Sequence, residues 1–575
     1  MSLVIGSMPT APVPGGRRRL FLPAGCAALL AALVYLNALD NPFVYDDFHL
    51  IVENTSILNG SDLHSVIVRD ITRPVVTLSY AFDTWLWGLQ PVGYHVTNLL
   101  LHIANVLLVY GVAWLASEDR RRQGGQRLRA DGSSIVVAFI AAAVFAVHPM
   151  MTEAVGYISG RSEVAYSMFV LAAFLAGRRW MIEGGARWWA ACVGLWVVAM
   201  LTKESAVMLP LLLMAYDRFV LDADPSERRR RLLWLEVPLL AVTLVAGAVR
   251  VGVLMWVEYP GEVGPDWRLA LVAADAFWRY AWMLVSPRGQ SIFHAVPLIE
   301  SLRSPRAIAA LIGLVGLVAL VWRLRRVHSL MAFGVCWFAL LLVPSSGLLV
   351  LGLGEPMAEH RVYLSAMGLF LTGGCAFSVV WTHAGRRQIA GAGTVLFLGA
   401  LGFQTMVRNA IWQDPVALSQ EAVALAPRHW MPRILAADAL RQNGRCAEAV
   451  PEYKAAILFR PVDEYPYTML ARCLIQERKL GEAEDTLRQL AAINPDSQDA
   501  STGLGVFALL DGRSNEARRH VQDVLARDPG RAQARLLLAF IDGSLPTAER
   551  RQLCEALQTV AGGATTIAAC GLEAP

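Results

Sequence analysis

Two adjacent carboxylates, Asp46 and Asp47, close the run Asn41-Pro-Phe-Val-Tyr-Asp-Asp-Phe48, just after the first long apolar segment. A carboxylate held against an incoming hydroxyl takes its proton during group transfer, and adjacency leaves either residue as that base. Asp47 ranks slightly ahead. Three further polar corners follow: His148-Pro149 with Thr152-Glu153 and Gly160-Arg161-Ser162-Glu163, then Thr202-Lys203-Glu204, then Glu359-His360-Arg361-Val-Tyr363. Each has a bland account on its own. An exposed Asp pair caps helices or sits in a solvated loop, Lys203 and Glu204 make an interfacial ion pair of little weight, and Arg361 snorkels. His95, Asn98 and His102, at helical spacing, read as polar packing inside a bundle. Taken together, four polar corners facing one compartment describe an active site at the outer face of a membrane.

The elements that must position these corners are apolar. Of the 575 residues, 55% are hydrophobic and 17% charged, with a mean hydropathy of +0.44. Soluble domains average roughly 25% charged residues, so a soluble enzyme is excluded. Eleven spans are expected, near 20–38, 93–116, 134–150, 164–177, 188–203, 205–216, 233–255, 306–322, 328–350, 362–382 and 389–407. The stretch 270–286, with Asp275 and Arg279, reads as re-entrant or interfacial. A cytoplasmic tail over 1–19 places Arg120–Arg122, Arg127, Arg129, Arg178, Arg179, Arg228–Arg231, Arg323, Arg325, Arg326, Arg386 and Arg387 on its own side. The polar corners and everything after 408 then lie on the other face. Few ionisable residues fall at mid-span, which argues against a transporter.

Beyond the spans the composition becomes charged and soluble. Prolines at 427, 461, 495 and 529 recur every 34 residues, the tetratricopeptide (TPR) period of stacked helical hairpins. Ala449, Ala483 and Ala517 fall twelve residues before the last three prolines, and Ala437, Ala471 and Gly505 fill the matching slot on the first helix of each hairpin. Such repeats, over 415–571, form an interaction surface. Cys26, Cys192, Cys336 and Cys375 lie in the spans as apolar filler. Helix geometry pairs Cys446 with Cys473 about the turn at Pro461, and Cys554 with Cys570 about Gly562 and Gly563. Two such disulfides require an oxidising compartment; the alternative is four free buried thiols.

The ordered set Tyr45-Asp46-Asp47, Arg73-Pro74 with Leu78-Ser79-Tyr80, Gly93-Tyr94-His95 with Asn98 and His102, His148-Pro149 with Thr152-Glu153, Gly160-Arg161-Ser162, Lys203-Glu204, and Glu359 with Arg361 and Tyr363 closely resembles one family. That family is the transmembrane and tetratricopeptide repeat (TMTC) proteins and their bacterial relatives. The resemblance runs in order along nearly the whole chain; Ser365 departs from it where proline is expected. It implies an all-α fold: a GT-C type membrane bundle of about eleven spans over 20–408, followed by the TPR solenoid.

The activity it implies is inverting transfer of mannose or a similar hexose. The donor would be a polyprenyl- or dolichyl-phosphate carrier and the acceptor a hydroxyl, Ser or Thr of a protein engaged by the repeats. By the same resemblance the base is the acidic residue of the first outer loop. The leaving phosphate needs cations more than an acid: Arg361 first, then Arg73, Arg161, Lys203 and Arg279. Glu359 and Glu204 complete the donor-binding set, His148 and Glu153 orient the acceptor or hold the loop, and Tyr363 or Trp256 stacks on the sugar. Asp46, Asp47 and Glu153 offer oxygens for a divalent metal, but no metal or other cofactor is expected. Nor is nucleic acid, and no Gly-rich loop for a nucleotide sugar is present. The expected setting is a bacterial inner membrane, with the repeats in the periplasm. The alternatives are a transferase or modifier of lipid-linked glycans and a non-catalytic membrane scaffold.

Overall fold

The computed structural model describes residues 16–58, 63–123, 133–221, 224–258, 264–352, 355–383, 385 and 387–561. Arg127, Arg129, Arg386 and Cys570, named above, lie outside them, as do the side chains of the tail 1–19. The described residues are helical, with no strand among them. The chain divides into two units, Met1–Pro415 and Val416–Pro575.

The first unit is a bundle of α1 (Gly16–Val34), α2 (Pro74–Trp87), α3 (Pro91–Gln123), α4 (Ser133–Val147), α5 (Arg161–Glu183), α6 (Ala186–Met200), α7 (Leu209–Tyr216), α8 (Val237–Val253), α9 (Trp267–Val285), α10 (Pro305–Val327), α11 (Ser329–Val350), α12 (Tyr363–Trp381) and α13 (Arg387–Ile411). Among the described residues, seven helices are long and apolar enough to cross a membrane, or eight if α4 and the short helix after its 60° bend are one span. The expectation of about eleven exceeds this count. Its remaining three spans coincide with α5, whose sequence carries Arg161, Glu163, Arg178, Arg179 and Glu183, with the 15-residue α6, and with the short helices from Glu204 to Leu221. Charge in the first and length in the others separate them from the rest. The stretch expected to be re-entrant is the regular helix α9, packed against α10 and α11.

Polar side chains fix the register of the apolar helices. Along α3, Tyr94, Asn98, His102 and Asn105 fall on one buried stripe, as the helical repeat requires. Tyr94 Oη donates to Gly88 O at 2.9 Å, Asn98 Nδ2 to Tyr157 O at 3.1 Å and Asn105 Nδ2 to Val164 O at 2.7 Å, and His102 Nδ1 lies 2.7 Å from Tyr363 Oη. In lipid no water satisfies such groups, so each bond locks one helix or loop onto α3. Where α11 crosses α12, Gly334 and Gly368 face each other so closely that a methyl group on either would clash with the other's backbone, the small-residue packing usual between membrane helices.

At the end of the bundle holding the C-terminus of α3, Asp119 accepts two bonds from Arg178, each 2.6 Å, and a third from Tyr216 Oη at 2.6 Å. Nearby Asp217 pairs with Arg231 at 2.5 Å. The predicted basic loops therefore carry their own buried counter-ions, and Arg178 is a structural cation.

The second unit is a series of helical hairpins, among them α14 (Trp430–Gln442) with α15 (Cys446–Phe459), α16 (Glu464–Gln476) with α17 (Leu480–Ile493), and α18 (Gln498–Leu510) with α19 (Ser514–Arg527). The small residues at the repeat positions are buried where paired helices touch: Ala449, Ala483 and Ala517 are 0% exposed. Asp463 and Ser497 cap α16 and α18 by accepting from the backbone N–H groups of Tyr465 and Ala500. Gly444 and Gly512, at φ +72° and +75°, make the turns within two hairpins, a conformation that favours glycine. Cys446 and Cys473 form a disulfide between neighbouring hairpins, their Cα atoms 5.1 Å apart. The second expected pair includes Cys570, outside the described residues.

A disulfide closing a loop of this size contributes about 2–4 kcal/mol through the unfolded chain. Cys446→Ser with Cys473→Ser should therefore lower the repeat unit's unfolding temperature relative to the wild-type chain, measured by thermal denaturation of the purified protein without thiol.

Candidate active site

The four polar corners meet at one end of the bundle, opposite the Asp119–Arg178 network. Each is built from short helices or turns between spans: Val44–Val52, Pro149–Gly160, Lys203–Met208 and Glu359–Val362. Most of their charges are occupied with one another.

Arg161, expected to bind donor phosphate, is fully buried among protein partners. Its Nη1 lies 2.6 Å from Asp83, Nε donates to Asn98 Oδ1 at 2.8 Å, and Nη2 donates to Tyr94 O at 2.9 Å. Its guanidinium also stacks over Tyr80, 4.8 Å from the ring centroid. Lys203 is equally committed: buried, with Nζ 2.6 Å from Glu163 Oε1. Lys203 and Glu204 therefore do not pair. Glu204 instead takes both of its bonds from Arg73 Nη2, at 3.0 and 3.1 Å, with the two side chains 36% and 37% exposed. Tyr363, proposed to stack on a sugar, is 0% exposed and bonded to His102 and Asn105. His148 caps the turn after α4 through Nδ1 and bonds Leu284 O through Nε2 at 3.1 Å. Glu359 holds the segment after α9, accepting from Gln290 Nε2 at 3.0 Å and Ser291 N at 2.6 Å, with His294 Nε2 at 2.9 Å. Trp256 is 81% exposed on the helix that extends α8, and Arg279 pairs with Asp275 within α9 at 2.8 Å.

The two aspartates separate cleanly. Asp47 is 0% exposed, and its carboxylate accepts from Val44 N at 3.0 Å, Ser159 N at 2.9 Å and Ser159 Oγ at 2.5 Å. It staples the first loop to the 157–160 turn, and burial pushes its pKa up to about 7 against the pull of those donors. The first-ranked candidate base is thus held by three protein donors. Asp46 is exposed at the surface, with its N–H donating to Tyr157 Oη at 3.0 Å. Protein crowded around the carboxyl raises its pKa, while a hydrogen bond from Tyr157, then His49 and Arg73, act against the rise and Glu153 with it. Tyr45, immediately before it, has φ +51°. Such a conformation is uncommon for a non-glycine residue and marks functional turns. The Tyr45 ring, 39% exposed, stacks 6.5 Å from Tyr157, which in turn stacks 5.3 Å from Trp412.

Glu153 is buried and receives His360 through both its side chain, at 2.6 Å, and its backbone N–H, at 3.1 Å. Burial, and then the charge of Glu359, raises the Glu153 pKa. His360 lies within electrostatic reach of Lys203, Glu163, Arg361 and Arg73, and so marks the centre of the cluster. Arg361 donates to Glu355 O at 2.7 Å and has no carboxylate ion-pair partner among the described residues. It closes a narrow cleft between α9 and α11, lined by Ala273, Phe277, Leu342 and Leu349. Glu355 lies beside it with a pKa raised to about 7 by burial, which Arg361 opposes.

Sequence reasoning missed Asp83 as the partner of Arg161, Ser159 as the partner of Asp47, and His294. Asp83 and His294 are isolated polar residues in apolar surroundings, which is their one sequence signal.

The fold and site are those of an all-α, multi-pass membrane protein with an outlying repeat unit. A tetratricopeptide repeat model matches residues 474–541. The chain is 24% identical over 547 residues to the fruit-fly (Drosophila melanogaster) protein O-mannosyl-transferase Tmtc3, covering 82% of this chain and 59% of that protein. It is 24% identical over 527 residues to human TMTC1 (78% and 57%), and 31% identical over 248 residues to mouse TMTC1 (38% and 24%), both of them named protein O-mannosyl-transferases. It spans about three fifths of the length of the first two. Among solved structures, the APC/C hetero-tetramer Cut9-Hcn1 overlays at a TM-score of 0.22 with 14% identity, covering 81% of this chain and 89% of that one. Along most of its length the chain is similar to the TMTC proteins.

Removing one partner of a buried ion pair leaves an uncompensated charge and costs about 3–5 kcal/mol. Asp83→Asn should therefore destabilise the bundle by that order, seen as a lowered unfolding temperature in detergent. Arg73→Gln, at a half-exposed pair, should shift it far less.

Proposed function

We propose that the chain is an inverting GT-C glycosyltransferase that moves mannose or a similar hexose from a polyprenyl-phosphate carrier to a Ser or Thr hydroxyl of a protein. The observation that carries this reading is that Asp46, exposed at the surface, and Arg361, beside the cleft, have no ion-pair partner among the described residues where the surrounding charges are paired. Asp46 is the base and Arg361 the cation for the leaving phosphate. The acceptor oxygen bonds to the sugar's anomeric carbon as the bond from that carbon to the phosphate oxygen breaks. Asp46 takes the hydroxyl proton, and the electron pair leaves on polyprenyl phosphate beside Arg361. Tyr45, exposed next to the base, is the ring placed to meet the sugar. Arg73, held by Glu204, adds positive potential, and Glu153 with His360 positions the 359–362 turn.

In this reading the repeats engage the acceptor protein and the N-terminus is cytoplasmic, with the site and repeats on the opposite, periplasmic face of a bacterial inner membrane. Transfer without a metal is part of the proposal. Among the described residues no group of three His, Cys, Asp or Glu side chains is gathered to hold one, and chelation tests the point directly.

The decisive experiment follows labelled mannose from polyprenyl-phosphate mannose into protein, in membranes containing comparable amounts of each variant. Asp46→Asn should lower transfer by roughly 10²–10⁴-fold with an unchanged unfolding temperature, whereas Asp47→Asn should lower stability and activity together. Equal labelling by Asp46→Asn and wild type removes the base assignment; wild-type labelling abolished by EDTA removes the metal-free mechanism.

Asp46 must be ionised to accept a proton, and its pKa is raised. The acidic limb of the kcat/KM profile should therefore lie above the ordinary aspartate value of about 3.9, with activity falling as pH drops through it. Arg361→Gln should leave that limb in place while lowering kcat.

A further inference from the structure

At the bundle end remote from the candidate site, Arg218, Arg325 and Arg326 converge with Phe219 on a recess of about 190 Å³. Arg325 lies within the field of both other guanidiniums. None of the three has a carboxylate ion-pair partner among the described residues. This sets them apart from their neighbours, since Arg178 is neutralised by Asp119, and Arg228 and Arg231 share Asp217. Three like charges facing one recess repel one another, and an anion is the ligand that relieves the repulsion.

The surroundings point to what carries that anion. Arg325 lies over the ring of Trp322, 3.2 Å from its centroid, and Arg326 lies 5.7 Å from it. Tryptophan and arginine together mark the headgroup layer of a bilayer. Along α10 from this point, Val315 and Val318 are 71% and 70% exposed and Leu320 is 44% exposed. A phosphate in the recess would thus have an apolar helix face beside it for acyl chains. Free phosphate would use the cations alone, whereas a phospholipid would use both.

We propose that this recess is a binding site for the phosphodiester headgroup of an anionic phospholipid, with its acyl chains along the exposed face of α10. The site is independent of the transfer reaction and lies at the opposite membrane surface. Arg325 and Arg326 at the end of α10, with Arg218 after α7, clamp the phosphate, and bound lipid joins the two segments.

The test uses the purified full-length chain in neutral detergent, titrated separately with phosphatidylglycerol, phosphatidylcholine and inorganic phosphate, with bound lipid counted by native mass spectrometry and stability followed by thermal unfolding. Phosphatidylglycerol should bind and raise the unfolding temperature; phosphatidylcholine and inorganic phosphate at the same concentration should not. Arg218→Gln/Arg325→Gln/Arg326→Gln should weaken phosphatidylglycerol binding by at least about tenfold. Arg122→Gln/Arg229→Gln/Arg323→Gln, which removes the same charge from exposed positions at the same end, should leave it within about twofold. The corresponding triple lysine variant, which keeps the charge, should retain binding and guards against misfolding in the glutamine variant. Equal losses in both glutamine triples would overturn the proposal by making the attraction a diffuse surface effect, as would unchanged binding in the first triple. Protection by inorganic phosphate equal to that by phosphatidylglycerol would overturn the lipid assignment.

Discussion

The buried guanidinium of Arg161 is the constraint around which the candidate site is arranged. A charge at 0% exposure among membrane helices is tolerated only when neighbouring groups replace its hydration. Asp83 of α2, Asn98 and the Tyr94 carbonyl of α3, and the face of Tyr80 supply that replacement. Arg161 begins α5, so its partners fix the start of α5 against α2 and α3. Asn98 bonds onward to the carbonyls of Tyr157 and Ile158, which holds the 157–160 turn. That turn offers Ser159 to Asp47 and Tyr157 to the Asp46 backbone. Asp46 is thus placed at the end of a chain of satisfied polar contacts that begins at one desolvated cation.

A second chain sets the other side of the site. Glu359 gathers Gln290, Ser291 and His294 from the segment after α9, while His360, its neighbour, reaches Glu153. Arg361, in the same turn, donates to Glu355 O and forms no ion pair with a carboxylate among the described residues. This division between carboxylates buried in holding loops and one at the surface without an ion-pair partner gives chemical meaning to a cluster dense in charge. In low dielectric, unpaired ions cost several kcal/mol or more, so the bundle pairs those it buries and leaves single groups only where solvent or a ligand can meet them. Asp46 and Arg361 are such groups at one end; Arg218, Arg325 and Arg326 are their counterparts at the other.

The relatives explain why a likeness in sequence extends so widely at low identity. Identity near 24% runs along more than three quarters of the chain, which fits a fold specified by apolar helices whose surfaces tolerate exchange. The repeat unit follows different rules. Its hairpins bury small residues at a fixed period and stack through neighbour contacts, so its period is legible in the chain without reference to the membrane unit.

The sequence by itself determined the helical class, the position of nearly every long helix, the start of the repeats, and the corners at which polar residues gather. These follow from local quantities: apolar length, a 34-residue period, and basic loops. It did not determine which polar residue performs which task. Asp46 and Asp47 are neighbours of one type, and only packing shows one carboxylate buried among three donors and the other at the surface. Lys203 and Glu204 are adjacent along the chain, yet the turn at that point sends them to Glu163 and Arg73, on different elements. Arg161 and Arg361 are the same residue in similar surroundings of sequence, one fully desolvated and the other facing a cleft. Partner choice among charges is settled by distances between residues far apart in the chain and by how much water each retains, and neither quantity is local.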